Sequence, residues 1–155
     1  MARNVTVERN VGTNRYNNVG PARTYALVFG ITYLVVAAVE AYLGYMDQSL
    51  IFGGATILSF ALVHNIVHWA TGLALLGGGL AKEWNAKGVV RTIGIVFAVV
   101  ALLGIFARDF MGMLLGHDGP LPWSYNWIHI GTSVLALVAG FVNFAPENRT
   151  RTSGV

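Results

Sequence analysis

Phe60-Ala-Leu-Val-His64-Asn65-Ile-Val-His68-Trp69-Ala-Thr71-Gly72-Leu-Ala-Leu-Leu76 is the stretch whose reading decides the fold. It sets two imidazoles and a carboxamide at the head of an apolar run long enough to cross a bilayer. Ring nitrogens and amides are costly in hydrocarbon and are tolerated where neighbouring helices supply partners. Two expectations follow together: the segment is a transmembrane helix, and its polar groups turn inward. The pattern returns as Tyr125-Asn126-Trp127-Ile128-His129-Ile130-Gly131-Thr132.

Composition agrees. Of 155 residues, 55% are hydrophobic and 11% charged, where globular domains carry about 25% charged residues. Mean hydropathy is +0.59. The length suits one domain. With no cysteine, a disulfide framework, a thiolate metal site and a thiol nucleophile are excluded. The net charge of +3 sits in the flanks of the apolar runs, so it bears on topology and not on nucleic-acid binding. Residues 1–23 are polar and rich in Asn and Arg, so no cleavable signal peptide is expected.

Working outward, four stretches reach the roughly twenty residues that span hydrocarbon: Thr24 to Tyr45, Leu58 to Ala81, Gly88 to Ala107, and Ser124 to Ala145. Trp84, Trp123, Trp127, Tyr25, Tyr42, Tyr45 and Tyr125 fall near their ends, where amphipathic rings prefer the interface. Arg3, Arg9, Arg15, Arg23, Lys82, Lys87, Arg91, Arg149 and Arg151 flank one side and Arg108 alone the other. The excess of basic residues on cytoplasmic loops then places both termini inside. The expected organisation is a polar cytoplasmic N-terminal tail (1–23), an all-α four-helix transmembrane bundle (24–145) and a cytoplasmic C-terminal tail (146–155) in the bacterial inner membrane.

The two halves look like an internal repeat. Gly30-Ile31-Thr-Tyr33-Leu-Val35-Val36-Ala37 parallels Gly94-Ile95-Val-Phe97-Ala-Val99-Val100-Ala101, and Asn65, His68 and Thr71 match Asn126, His129 and Thr132. Met46-Asp47 and Arg108-Asp109 each precede a short segment ending in glycine, at Gly53-Gly54 and Gly116. Each half is expected to be helix, short interfacial segment, helix, with no strands. Two crossings per half make the repeats parallel about an axis along the membrane normal. Ala37/Ala41, Ala70/Ala74 and Ala136/Gly140 supply small residues four apart for close helix packing.

Depth brings the ionisable groups together. Glu40 lies sixteen residues beyond Thr24, about 24 Å at 1.5 Å per residue. His64, His68 and His129 stand in the first turns of helices entering from the opposite side, so all four share the outer third. His64 and His68 share a helix face. The counterpart of Glu40 in the second half is Gly104. The cluster thus holds Glu40, His64, His68 and His129 with Asn65, Asn126, Thr71 and Thr132. Arg108 is a second partner for the Glu40 carboxylate, which must be protonated or paired at this depth.

Four chemistries fit these residue types. The favoured one is plain packing, in which His, Asn and Thr hydrogen-bond between helices for about 0.6 kcal/mol each and fix register. His68 and His129, with His64 beside them, could instead ligate a haem iron axially, with Gly72, Gly131 and Thr132 leaving room for a ring. A His–Glu cluster could sense pH. Least favoured is a zinc or copper site, for which ligand types are right and convergence is not evident from spacing alone. Gly116-His117-Asp118-Gly119-Pro120 reads as an outer turn with His117 in water. Asn4-Val-Thr6 and Asn148-Arg-Thr150 match glycosylation sequons on the wrong side of the membrane. Ser59, Ser124 and Ser133 lack an adjoining Asp–His pair, and no phosphate loop is present.

His64-Asn65-Ile-Val-His68-x-x-Thr71-Gly72 and Asn126-x-x-His129 resemble the motifs of a bacterial family of uncharacterised four-helix membrane proteins, filed as a domain of unknown function, over about residues 22–145. The second motif there commonly begins Asp-Asn; here Tyr125 replaces the aspartate. The resemblance implies a fold and a location and no activity. The expectation is therefore a non-enzymatic, multi-pass accessory or structural subunit. Its partners would be the lipid bilayer and copies of itself or a larger membrane complex.

Overall fold

Pro21 opens the first helix, α1 (Pro21–Tyr45), at a position where its missing N–H would have had no partner in any case. The computed structural model describes residues 20–142, so most of the N-terminal tail and the whole C-terminal tail lie outside the described residues. The first-turn N–H of Arg23 is met by the Glu83 carboxylate at 3.1 Å. The helix stops at Asp47, whose φ of 51° is left-handed. Next come β1 (Ser49–Phe52) and β2 (Ala55–Ser59), then α2 (Leu62–Leu80), α3 (Glu83–Phe106), α4 (Arg108–Leu115) and α5 (Trp123–Phe141). The protein is mostly helical, with five helices among the described residues.

The strands correct the expectation of an all-α chain. β1 and β2 pair antiparallel, with Phe52 opposite Ala55 and a bulge after Leu50. Gly53 and Gly54 form a two-residue turn with φ of 58° and 79°, the twist that suits a tight hairpin and that side chains resist. The signal was present: a Gly-Gly pair flanked by Ile51, Phe52, Thr56 and Ile57. The corresponding segment of the second half is instead the helix α4, closed by Gly116 at φ 83°. The second long helix consequently starts at Leu62, four residues later than expected.

Helix α1 lies along α2 and α3 along α5, and the two pairs join through α1–α3, α2–α3 and α1–α5. Close approach rests on glycine more than on the alanine pairs. A Cβ at Gly30 would meet the backbone nitrogen of Leu76 at 2.7 Å, and one at Gly79 the backbone nitrogen of Leu27 at 3.0 Å. Ala136 and Gly140 are buried as expected, but Ala41, Ala70 and Ala74 are exposed. Side-chain polarity is reversed relative to a globular fold. Along α2 the inward positions are His64, Asn65, His68, Thr71, Gly72, Leu75, Gly78 and Gly79. The outward ones include Leu62, Ile66, Trp69, Leu73 and Leu80. Helices α1 and α3 are long and apolar enough to cross a membrane; α2 and α5 carry the polar motifs.

Apolar packing concentrates at the end where α1 and α3 begin, around Tyr25, Tyr33, Leu75, Val90, Phe97 and Ala136. The polar groups gather at the opposite end, beneath the hairpin and α4. Trp84, Trp123, Trp127, Tyr42 and Tyr45 are exposed near helix ends. Tyr25 and Tyr125 are buried instead: the Tyr25 hydroxyl donates to the Thr132 carbonyl at 3.0 Å.

Candidate functional site

Glu40 is the centre of the polar end. It sits one turn short of the last turn of α1 and is 0% exposed. Its Oε2 lies 2.9 Å from His68 Nδ1 and 3.3 Å from the Asn65 Nδ2 donor. An ionised Glu40 carboxylate only accepts, and with it His68 Nδ1 is the proton-bearing nitrogen. Asn65 also donates to the Ala37 carbonyl at 2.7 Å. One amide thereby ties α2 to α1 and holds the carboxylate. The i, i+3 spacing of Asn65 and His68 aims both at Glu40 because they share a face of α2.

His64 and His129 complete the cluster. His64 is 3% and His129 5% exposed, against 6% for His68. The His64 ring centroid lies 4.3 Å from that of His68 and 5.9 Å from that of His129. One ring nitrogen from each of the three falls within 4.8 Å of the others. His64 Nδ1 is 4.0 Å from Glu40 Oε1, beyond hydrogen-bond reach. Both nitrogens of His64, Nδ1 of His129 and Oε1 of Glu40 are buried without a hydrogen-bond partner. Each such group costs about 1–3 kcal/mol. A cavity of about 220 Å³ adjoins the rings, walled mainly by apolar groups of α1, β2 and α5.

The structure brings Glu40, Asn65, His64, His68 and His129 together, with Thr132 lining the adjoining cavity, and turns Arg108 and Asn126 to other partners. Arg108 does not partner Glu40. Its Nε donates to the Leu121 carbonyl at 3.0 Å and its guanidinium stacks 4.7 Å over Trp123, because it opens α4 beyond the end of α3. Asn126 is fully buried but donates to the carbonyl of Gly104, so it joins α5 to α3. The Thr132 hydroxyl bonds back to Ile128 at 2.8 Å within its own helix, and Thr71 is buried on α2.

His117, expected in water, instead lies against the cluster. It is half-buried, and its ring lies 5.3 Å from His64 and 5.4 Å from Tyr125. Gly116 turns the chain back over the cluster after α4, which a linear reading of a Gly/Asp/Pro turn does not reveal. Burial holds the His117 imidazole below its ordinary range, against the pull of Glu40 and Asp118. Tyr125 is buried beside His64, with ring centroids 5.3 Å apart. Its hydroxyl meets Ser59 Oγ at 2.9 Å, and Ser124 Oγ donates to the Thr56 carbonyl. These two bonds clamp β2 onto α5.

The serine hydroxyls near the cluster are engaged, whereas the Tyr33 hydroxyl, whose ring lies 5.4 Å from that of His68, is buried without a hydrogen-bond partner. Ser133 Oγ donates to the Gly94 carbonyl at 2.9 Å, and Ser59 and Ser124 hold the hairpin. None is left paired with an imidazole as a nucleophile would be. The chemistry available is that of a lone-pair cluster: imidazole nitrogens and one carboxylate, enclosed and short of partners.

No curated protein and no solved structure matches this chain. A family model, domain of unknown function DUF4383, matches residues 23–142. The chain belongs to that family, whose model takes in the helices, the hairpin and the buried His–Glu cluster alike.

Proposed function

We propose that this chain is a non-enzymatic, multi-pass integral membrane subunit in which α1, α2, α3 and α5 each cross the inner membrane. Both tails lie in the cytoplasm, and the His–Glu cluster in the outer leaflet holds a small ligand. The observation that carries this reading is the reversed polarity of the long helices. Val28, Ile31 and Val35 on α1, Ile95, Val99 and Leu102 on α3, and Val134, Leu135 and Val138 on α5 all face outward. The charged, ring and amide groups between them face in. Water would drive the opposite arrangement; hydrocarbon favours this one. The same apolar faces fit packing against lipid, against copies of itself, or against a larger membrane complex.

Two contacts at corresponding positions support reading the halves as a parallel internal repeat. Gly79 packs on Leu27 and Gly140 on Arg91, positions that correspond when the first helix of each half is offset by 64 and the second by 61. Arginine caps the two equivalent carbonyls: Arg23 Nε donates to Gly79 O at 2.9 Å and Arg91 Nε to Gly140 O at 2.8 Å. Haem ligation by His68 and His129 fits less well. His64 offers a third donor within 4.8 Å of both, one more than an axial pair of histidines uses.

The absence of native cysteine makes labelling of single cysteines decisive. In intact cells, an impermeant thiol reagent is expected to modify Asp118→Cys and Gly54→Cys, and to modify Lys87→Cys only after permeabilisation. Labelling of all three from outside, or release of the chain from membranes by alkaline carbonate, overturns the proposal.

A further inference from the structure

We infer that His64, His68 and His129 form a binding site for one divalent first-row transition-metal ion, of which zinc is the type case, with Glu40 as the residue that orients His68. The inference rests on the reading of the cluster as a ligand-holding site and specifies the ligand.

The geometry is close to a metal centre and too open to be a hydrogen-bonded one. The three donor nitrogens lie within 4.8 Å of one another. Nitrogens bound tetrahedrally at 2.0–2.1 Å stand about 3.3 Å apart. Closing that gap takes about 1.5 Å at most, within reach of small χ rotations of the three rings. The ligands come from two helices: His64 and His68 one turn apart on α2, and His129 facing them from α5. That is how bundle metal sites are assembled, with donors projecting inward from facing helices.

The unsatisfied atoms point the same way. If the cluster only fixed packing register, its lone pairs and N–H groups would be used up between helices, as those of Asn65 and Ser133 are. Instead both His64 nitrogens and His129 Nδ1 are buried and free of hydrogen bonds. A metal ion consumes such lone pairs. Glu40 gives a second, independent indication. By accepting from His68 Nδ1 at 2.9 Å it leaves Nε2 as that ring's lone-pair donor. Carboxylates in this relation to metal-bound histidines fix the ring and raise its basicity. Glu40 also places a carboxyl group, fully buried, where a dication would need a compensating anion.

The donor set selects the class of ion. Imidazoles without sulfur suit zinc, copper or nickel, while magnesium and calcium demand mostly oxygen. The adjoining cavity of about 220 Å³ leaves space for a fourth ligand such as water.

The test uses the full chain in lipid nanodiscs, with any affinity tag removed, and zinc as the probe. Equilibrium dialysis with elemental analysis is expected to give one zinc per chain. His64→Gln and His129→Gln should each lose it. Glu40→Gln should keep the stoichiometry and bind 10–100-fold more weakly. Cobalt(II) should give the intense visible bands of a tetrahedral centre, and copper(II) an electron paramagnetic resonance spectrum with coupling to several imidazole nitrogens. Zinc uptake by the wild type no greater than by a triple His64→Gln/His68→Gln/His129→Gln variant of equal helicity overturns the inference. So does a copper spectrum without nitrogen coupling, which needs no variant to fold. Either failure leaves the cysteine-labelling pattern untouched, whereas a wrong labelling pattern removes the membrane reading whatever the metal result.

Discussion

Gly30→Ala and Gly77→Ala are the same chemical change on the same helix pair, and the structure makes the first costlier than the second. A methyl at Gly30 would sit 2.7 Å from Leu76 N, 3.1 Å from Leu76 Cα and 3.2 Å from Gly72 O. All three are backbone atoms, so no rotamer change relieves the clash. Ordinary carbon–nitrogen contact is about 3.5 Å, so α1 and α2 must separate by roughly 0.8 Å along the glycine seam. Overpacking of this kind costs about 1–3 kcal/mol. At Gly77 an added Cβ meets nothing within 4 Å, leaving only the gain of about 1 kcal/mol from replacing a helical glycine with alanine. That gain is common to both variants and cancels in their difference. Gly30→Ala should therefore be less stable than Gly77→Ala by about 1–3 kcal/mol, a five- to 150-fold shift in the folded ratio. Reversible unfolding in mixed micelles with increasing sodium dodecyl sulfate, followed by far-UV circular dichroism, reads this directly. Equal midpoints for the two variants would refute the close α1–α2 crossing.

Other consequences are separately measurable. Arg91→Ala removes the bond to Gly140 O at 2.8 Å and the contact 4.5 Å over the Phe141 ring, and should cost about 1 kcal/mol in the same unfolding assay. Asn65→Ala frees the Ala37 carbonyl and one lone pair of Glu40. At about 0.6 kcal/mol per interhelical bond in a membrane protein, with a maximum near 1.7, a loss of roughly 1 kcal/mol is expected, and none would show that the amide is idle. Tyr125→Phe deletes the link to Ser59 Oγ at 2.9 Å. Hydrogen exchange in Ala55–Ser59 should accelerate while α2 and α5 keep their protection, and an unchanged hairpin would show that the Ser124–Thr56 bond suffices.

Much of the helical frame is legible in the chain because long apolar runs carry a length and a composition that can be counted. The lengths of α1 and α3 came within a few residues of expectation. The convergence of Glu40 with His64 and His68 followed from helical rise and spacing. Residues outside that arithmetic are not placed by it. Depth alone makes Arg108 a second partner for Glu40, yet depth says nothing of direction around the axis, and the α3–α4 corner turns its side chain toward Leu121 and Trp123. The hairpin was missed because Leu50 to Ser59 is apolar enough to be taken for an interfacial segment and the start of α2.

The alternation of apolar runs with polar loops, the clustering of Lys and Arg, and the recurrence of Asn-x-x-His are local properties, so the sequence by itself determined a mostly helical chain and the residues from which a site could be made. Which ring nitrogens remain without partners, that His117 folds back over His64, and that Asn126 serves α3 and not Glu40 were decided only by the tertiary structure. They depend on helix rotation and crossing distance. Those are set by glycine contacts such as Gly30 on Leu76, between residues that lie far apart along the chain.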